Sequence, residues 1–190
     1  MDEKQPLRVF LLAGYLPSYG VINDLLQERV HIVGALFSPP GVQRLGWRQR
    51  IKNLFRYGNI LEPKHLLRKH GIPTHFTKTY NNEEAEQIIR QAKPDIVLLY
   101  GTKIIKPNIL AIPAIGTLNA HSALLPKYRG GASEFWILYN NEPQYAGVTI
   151  HWVEPGLDQG DIFLQEPMRT NDDIYFSFFE VINNFPLLPC

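Results

Sequence analysis

The sequence predicts an α/β fold, a doubly wound and mostly parallel sheet with an antiparallel edge. Three observations carry this. Short runs that are apolar throughout recur and close on glycine, as in LRVFLLAG (residues 7–14) and PDIVLLYG (residues 94–101); strands of this kind are covered on both faces. Segments with helical spacing stand between them, so strand and helix alternate. After Gly116 the strand-like runs come with less helix between them, and the last two are joined by a loop alone, which suits antiparallel pairing at one edge.

Residues 7–14 read as the first buried strand. VINDLLQERV follows, with Val21, Ile22, Leu25 and Leu26 at helical spacing. VHIVGALF (residues 30–37) is the second strand, and PKHLLRKHG (residues 63–71) is a helix. NNEEAEQIIRQAK (residues 81–93) opens on asparagine and carries acids early and bases late, as helix caps and the helix dipole favour. Residues 94–101 form the next strand, and a further one runs over about 116–121. EFWILYNNE reads as a helix stopped by two asparagines. YAGVTIHWV (residues 145–153) and DIFLQE (residues 161–166) then form a hairpin-like pair joined by EPGLDQG. Sheets of this class bind ligands beyond the carboxyl ends of their strands.

With 190 residues, 45% of them hydrophobic, the whole chain, 1–190, reads as one domain. A net charge of +1 provides no general field toward nucleic acid or an acidic surface, so anion binding has to be local. Cys190 is the single cysteine and has no internal disulfide partner. No run approaches a signal peptide or the roughly 20 apolar residues of a membrane span. A cytoplasmic location without a membrane partner is the expectation.

Two stretches interrupt the rhythm. A basic insertion at about 38–62 carries Arg44, Arg48, Arg50, Lys52 and Arg56, with Ile51, Leu54 and Phe55 at helical spacing. It reads either as a solvated face or as a local anion site. The end, DDIYFSFFEVINNFPLLPC, begins as a helix with apolar groups around much of its girth and then breaks on prolines. That predicts a C-terminus cut short of its domain, or one covered by a partner copy in a homo-oligomer.

The chemistry concentrates in NAHSALLPKYRGG (residues 119–131) and EPGLDQG (residues 154–160). Asn119 and His121 are two apart, so on a strand they project to the same side. Asp158 lies between two glycines, where a loop can bend tightly and present a carboxylate. An amide, an imidazole and a carboxylate supply an oxyanion donor, a proton carrier and a group that orients the carrier. Each alone has a plainer reading: a hydrogen-bonded strand-end histidine, a turn-forming asparagine, an aspartate capping a glycine turn. His31, His65, His70, His75 and His151 show no zinc-ligand spacing. There is no G-x-S-x-G elbow and no glycine-rich phosphate motif.

GTLNAHSALLPKYRGG followed by GVTIHWVEPGLDQGDI resembles the 10-formyltetrahydrofolate-dependent formyltransferases, a family that includes glycinamide ribonucleotide, methionyl-tRNA and sugar-nucleotide enzymes. Asn-x-His, Leu-Leu-Pro-x-Tyr-Arg-Gly, Gly-Val-Thr and Gly-x-Asp-x-Gly-Asp-Ile all occur, in order. The resemblance implies a Rossmann-like formyltransferase domain in which Asn119, His121 and Asp158 are catalytic. It implies 10-formyltetrahydrofolate as donor and calls for no metal. It places the donor's pterin against Leu99, Tyr100, Gly101 and Ile104 on one side and Val153, Glu154 and Gly156 on the other. Lys127, Arg48 and Arg50 are the candidates for an acidic part of the acceptor. Ser122 departs from the proline that commonly follows this histidine, which puts the stiffness of the loop in question.

The expected acceptor is a primary amine, on a nucleotide-linked sugar or another small molecule. GYLPSYGVIND stands where glycinamide ribonucleotide enzymes have a glycine-rich loop. A fragment of a methionyl-tRNA enzyme, with tRNA as partner, is an alternative, since such enzymes carry a further C-terminal domain. A formyltetrahydrofolate hydrolase and a non-catalytic folate-binding protein are the others.

Overall fold

The computed structural model describes residues 5–14, 18–38, 63–154 and 156–168. Arg48, Arg50 and most of the basic insertion lie outside the described residues, as does the aromatic C-terminal segment.

Among the described residues, seven strands form one sheet. They are β1 (Val9–Gly14), β2 (Ile32–Ser38), β3 (Thr74–Phe76), β4 (Ile96–Tyr100), β5 (Gly116–His121), β6 (Gly147–Trp152) and β7 (Ile162–Pro167). Their order is β3-β2-β1-β4-β5-β6-β7. The first five run parallel, and β6 and β7 add antiparallel strands at one edge. The expected class, a mostly parallel doubly wound sheet with an antiparallel edge, is the one observed. Among the described residues five α-helices accompany it: α1 (Tyr19–Gln27), α2 (Pro63–Lys69), α3 (Glu83–Ala92), α4 (Pro107–Leu110) and α5 (Ser133–Tyr139).

The apolar runs follow from burial on both faces. Phe10, Leu12, Leu36, Val97 and Leu99 pack with Ala85, Ile89, Ile105 and Ile109 on the α3–α4 side. The alternate residues Val9, Leu11, Ala13, Ala35 and Phe37 pack with Ile22, Leu25 and Leu67 on the α1–α2 side. A strand with both faces covered has no polar face to offer water, so its sequence shows no alternation. A smaller cluster of Ala123, Ile137, Ala146 and Met168 seats α5 beside the β5–β6 end of the sheet.

Two elements escaped the sequence reading. β3 is only three residues, THF, too short for any period to register. α4 is four residues opened by Pro107, a single turn inside what reads as loop. Tyr80, just beyond β3, ties the carboxyl ends of β1 and β2 together: its buried hydroxyl donates to the Ala13 carbonyl at 2.7 Å and accepts from the Ser38 N–H at 2.9 Å. Burial pushes the Tyr80 phenol up to about 12.

The polarity expected of residues 81–93 is realised in α3. The Asn82 side chain accepts from Ala85 N–H at 2.9 Å, Glu83, Glu84 and Glu86 occupy the first turn, and Arg90 closes the last. Asn82→Ala is expected to lower unfolding stability by about 1 kcal/mol, the usual cost of losing an N-cap. Chemical denaturation with an unchanged denaturant slope checks it; no loss of midpoint would show that the cap is idle.

Candidate active site

Strand period and register build the centre. Thr117, Asn119 and His121 alternate along β5 onto one face. β6 runs back antiparallel, so His151 stands directly across from Asn119 and Thr149 across from His121. The side chains of such pairs share a face, and the carboxyl end of β5 therefore presents an amide and two imidazoles together.

The aspartate comes from the β6–β7 loop. Gly156 has φ +127 and Asp158 itself φ +47, the left-handed region that aspartate tolerates better than most side chains. A Cβ on Gly160 would run into the Trp152 carbonyl oxygen, so the return of this loop against β6 requires glycine. The glycines flanking Asp158 are thus a steric condition for the carboxylate's position.

One oxygen of Asp158, Oδ2, accepts from Gly130 N–H at 2.7 Å and lies 3.5 Å from His121 Nδ1. The other, Oδ1, lies 3.5 Å from both Asn119 Nδ2 and His151 Nε2. Asn119 Nδ2 is also 3.1 Å from His151 Nε2. His121 Nε2 faces the Tyr128 carbonyl at 2.8 Å, and His151 Nδ1 faces the Trp152 carbonyl at 2.8 Å. A carbonyl only accepts, so each of those nitrogens carries its hydrogen. That leaves His121 Nδ1 and His151 Nε2 turned toward Asp158. Neutral His151 accepts from Asn119 at Nε2; charged His151 donates from the same atom to Asp158.

The hydrogen bond from His151 holds the Asp158 carboxyl down at about 2, assisted by Gly130 N–H and the charges of both histidines and opposed by burial. For His151 burial is the largest influence and works against the charge. The hydrogen bonds to Asp158 and the Trp152 carbonyl, with the Asp158 charge, outweigh it and raise its pKa.

The basic loop after His121 is clamped to β6 through Thr149. The buried Thr149 hydroxyl donates to Ala123 O at 2.6 Å and accepts from Leu125 N–H at 3.1 Å and Gln165 Nε2 at 3.0 Å. Gln165 also donates to Leu125 O at 2.8 Å. This fixes the loop that carries Tyr128 O to His121 and Gly130 N–H to Asp158, and it gives the Gly-Val-Thr tripeptide of β6 a physical reason to accompany the Leu-Leu-Pro loop.

The structure brings Asn119, His121 and Asp158 together. The other candidates divide. Leu99 is buried on the face that Asn119 shares, its register partner on β5, and Val153 packs against the same cluster. Tyr100 turns its side chain to the opposite layer, against the α1–α2 core, where burial raises its pKa. Gly101 has φ +60 and is exposed, and Glu154 and Gly156 are exposed in the loop that carries Asp158. Ile104 is 79% exposed, an open apolar side chain rather than a packed wall. Lys127 is exposed with its ammonium 5.5 Å from the Tyr145 ring centroid, a cation–π distance. Arg48 and Arg50 are outside the described residues. Among the described residues, no group of three or more histidine, cysteine, aspartate or glutamate side chains is placed to hold a metal ion.

His151 is the member of the cluster that the sequence reading passed over. Only 2% exposed, it reaches Asn119 and Asp158 through strand register, which ligand spacing does not detect. The clue available was its place on the strand leading directly into the Asp158 loop.

The chain is thus an α/β domain with an amide and an imidazole at the carboxyl end of β5 and a carboxylate brought to them by the β6–β7 loop. Residues 48–173 match the family model described as formyl transferase, and the chain belongs to that family. It is 32% identical over 157 residues to a methionyl-tRNA formyltransferase of Kosmotoga olearia, covering 82% of this chain and 47% of that protein. It is 38% identical over 105 residues to the bifunctional polymyxin resistance protein ArnA of Wigglesworthia glossinidia brevipalpis, covering 55% of this chain and 16% of that protein. The chain thus spans less than half the length of either relative. The crystal structure of phosphoribosylglycinamide formyltransferase from Bacillus halodurans shares the fold, with a TM-score of 0.70 at 20% identity over 93% of this chain and 90% of that one.

Because the folded Asp158 carboxyl sits below its ordinary value of 3.8, its contribution to stability is complete above that value and is lost as pH falls through about 2. The wild type is expected to lose on the order of 1–2 kcal/mol between pH 4 and pH 2 through this group, and Asp158→Asn to show a flatter profile there. Urea unfolding across that acid range checks it; parallel profiles for the two proteins would contradict the electrostatic assignment.

Proposed function

We propose that this chain carries the catalytic centre of an enzyme that moves a formyl group from 10-formyltetrahydrofolate to a primary amine. The observation that carries the reading is the convergence of Asn119 and His121 on Asp158 at the carboxyl end of β5. The amine attacks the formyl carbon, a carbon–nitrogen bond forms, and the carbonyl oxygen takes up negative charge. Asn119 has two amide hydrogens; one is engaged toward His151 and Asp158, and the other serves that oxygen. His121 in its charged form presents an N–H at Nδ1, which Asp158 orients and which donates to the developing oxyanion, while the Tyr128 carbonyl holds its ring. Asp158 balances that charge and helps to pass the proton shed by the amine, through water, to the departing folate nitrogen. Leu99 and Val153 supply apolar walls for the donor's flat heterocycle, and the loop of Glu154 and Gly156 supplies main-chain groups.

For the acceptor, similarity to methionyl-tRNA formyltransferases across about four fifths of the chain favours the amino group of an aminoacyl-tRNA, with Arg48 and Arg50 near its phosphates. A nucleotide-linked amino sugar is the second reading, supported by a net charge of only +1, which draws no polyanion to the molecule as a whole. In both readings Lys127, exposed on the loop that follows His121, is the candidate for an acidic part of the acceptor.

The test is release of tetrahydrofolate from 10-formyltetrahydrofolate with methionyl-tRNA, with a panel of amino sugar nucleotides, and with no acceptor. Acceptor-dependent release supports transfer and names the acceptor class; release independent of acceptor makes the protein a hydrolase, and no release overturns the catalytic reading. His121→Ala is expected to lower the rate by about 10²–10³, as loss of one oxyanion donor does, with tetrahydrofolate affinity retained. Equal loss of binding and rate would show that His121 holds the donor instead.

A further inference from the structure

We infer that the Thr117 hydroxyl is a contact for a polar edge of the donor's reduced heterocycle, two residues before Asn119 on the same face of β5. Among the described residues it is the one buried side-chain polar atom without a hydrogen-bond partner. Thr117 is only 3% exposed. A buried hydroxyl ordinarily finds a partner, and leaving one unpaired destabilises the empty protein relative to valine, which has the same shape. Folding therefore gives no account of this hydroxyl.

Its position does. Thr117 precedes Asn119 by two residues and shares its face of β5. Its register partner on β4 is Val97, next in that row to Leu99, and on the other side Val153 N–H donates to the Thr117 carbonyl at 2.8 Å. Thr117 thus lies between the strands that bear Leu99 and Val153, the two apolar walls assigned to the donor. A flat ring lying between apolar walls leaves its edge N–H and C=O groups to be satisfied elsewhere. A hydroxyl can donate to one and accept from another. This inference rests on the donor assignment made above.

The experiment compares tetrahydrofolate binding to the full chain and to Thr117→Val, Thr117→Ala and Thr117→Ser, by calorimetry, with the melting temperature of each protein without ligand. Thr117→Val is expected to melt at or above the wild-type temperature and to bind tetrahydrofolate roughly three- to tenfold more weakly, the worth of one neutral hydrogen bond. The Ser and Ala variants differ by little more than the hydroxyl, so the Ser variant is expected to bind more tightly by a similar factor, which keeps the test valid should Val disturb the fold. Unchanged affinity in Thr117→Val, or equal affinities for Ser and Ala, would overturn the inference and leave the donor assignment standing. A wild-type protein that does not bind tetrahydrofolate would overturn the donor assignment and this inference with it.

Discussion

Asp158 enters the site with a left-handed backbone, and the amide of Asn119, the rings of His121 and His151 and the N–H of Gly130 are all arranged around its two oxygens. A carboxylate so surrounded by donors is stable as an anion, which is why its pKa falls to about 2 although the residue is largely buried. The dependence runs both ways. Without the charge, His151 is a buried imidazole with the Trp152 carbonyl left to take its hydrogen. Without the two histidines, Asp158 is a desolvated anion held by one backbone N–H and one amide.

The turn from parallel to antiparallel pairing makes this arrangement possible. β5 ends a series of parallel strands whose carboxyl ends all face one side, and β6 returns directly beside it. Side chains from the end of one strand and the end of the next are then register partners, so Asn119 meets His151 without any long loop having to find its way back. Asp158 follows seven residues after His151, within reach because the backbone at Gly156 and Gly160 has no Cβ to oppose the bend. The loop after β5 is secured by Thr149, from the same returning strand. One strand therefore contributes the second imidazole, the clamp on the first loop and the entry to the second.

Much of this was legible in the sequence because it rests on local rules. Continuous apolar runs named the doubly covered strands, Asn82 and the early glutamates named the start of α3, and the two-residue spacing of Asn119 and His121 placed them on one side. The glycines on either side of Asp158 mark a tight loop in the sequence itself. What stayed hidden depends on register or on length. His151 is separated from Asn119 by 32 residues, and only the antiparallel pairing makes them neighbours. β3 and α4 are too short to show a period. Tyr100 and Leu99 are adjacent in the chain and so face opposite layers, a consequence of strand alternation that a reading of LLYG as one binding stretch passed over.

Together with the Trp152 carbonyl, the Asp158 carboxylate raises the pKa of His151 against its burial. Histidine ring nitrogens report this directly in long-range proton–nitrogen correlation spectra recorded through a pH titration of the labelled protein and of Asp158→Asn. The His151 midpoint is expected above the ordinary histidine value of 6.5 in the wild type and lower in the variant, where the Trp152 carbonyl alone is left to offset burial. A His151 midpoint that stays where it was after the charge is removed would contradict it.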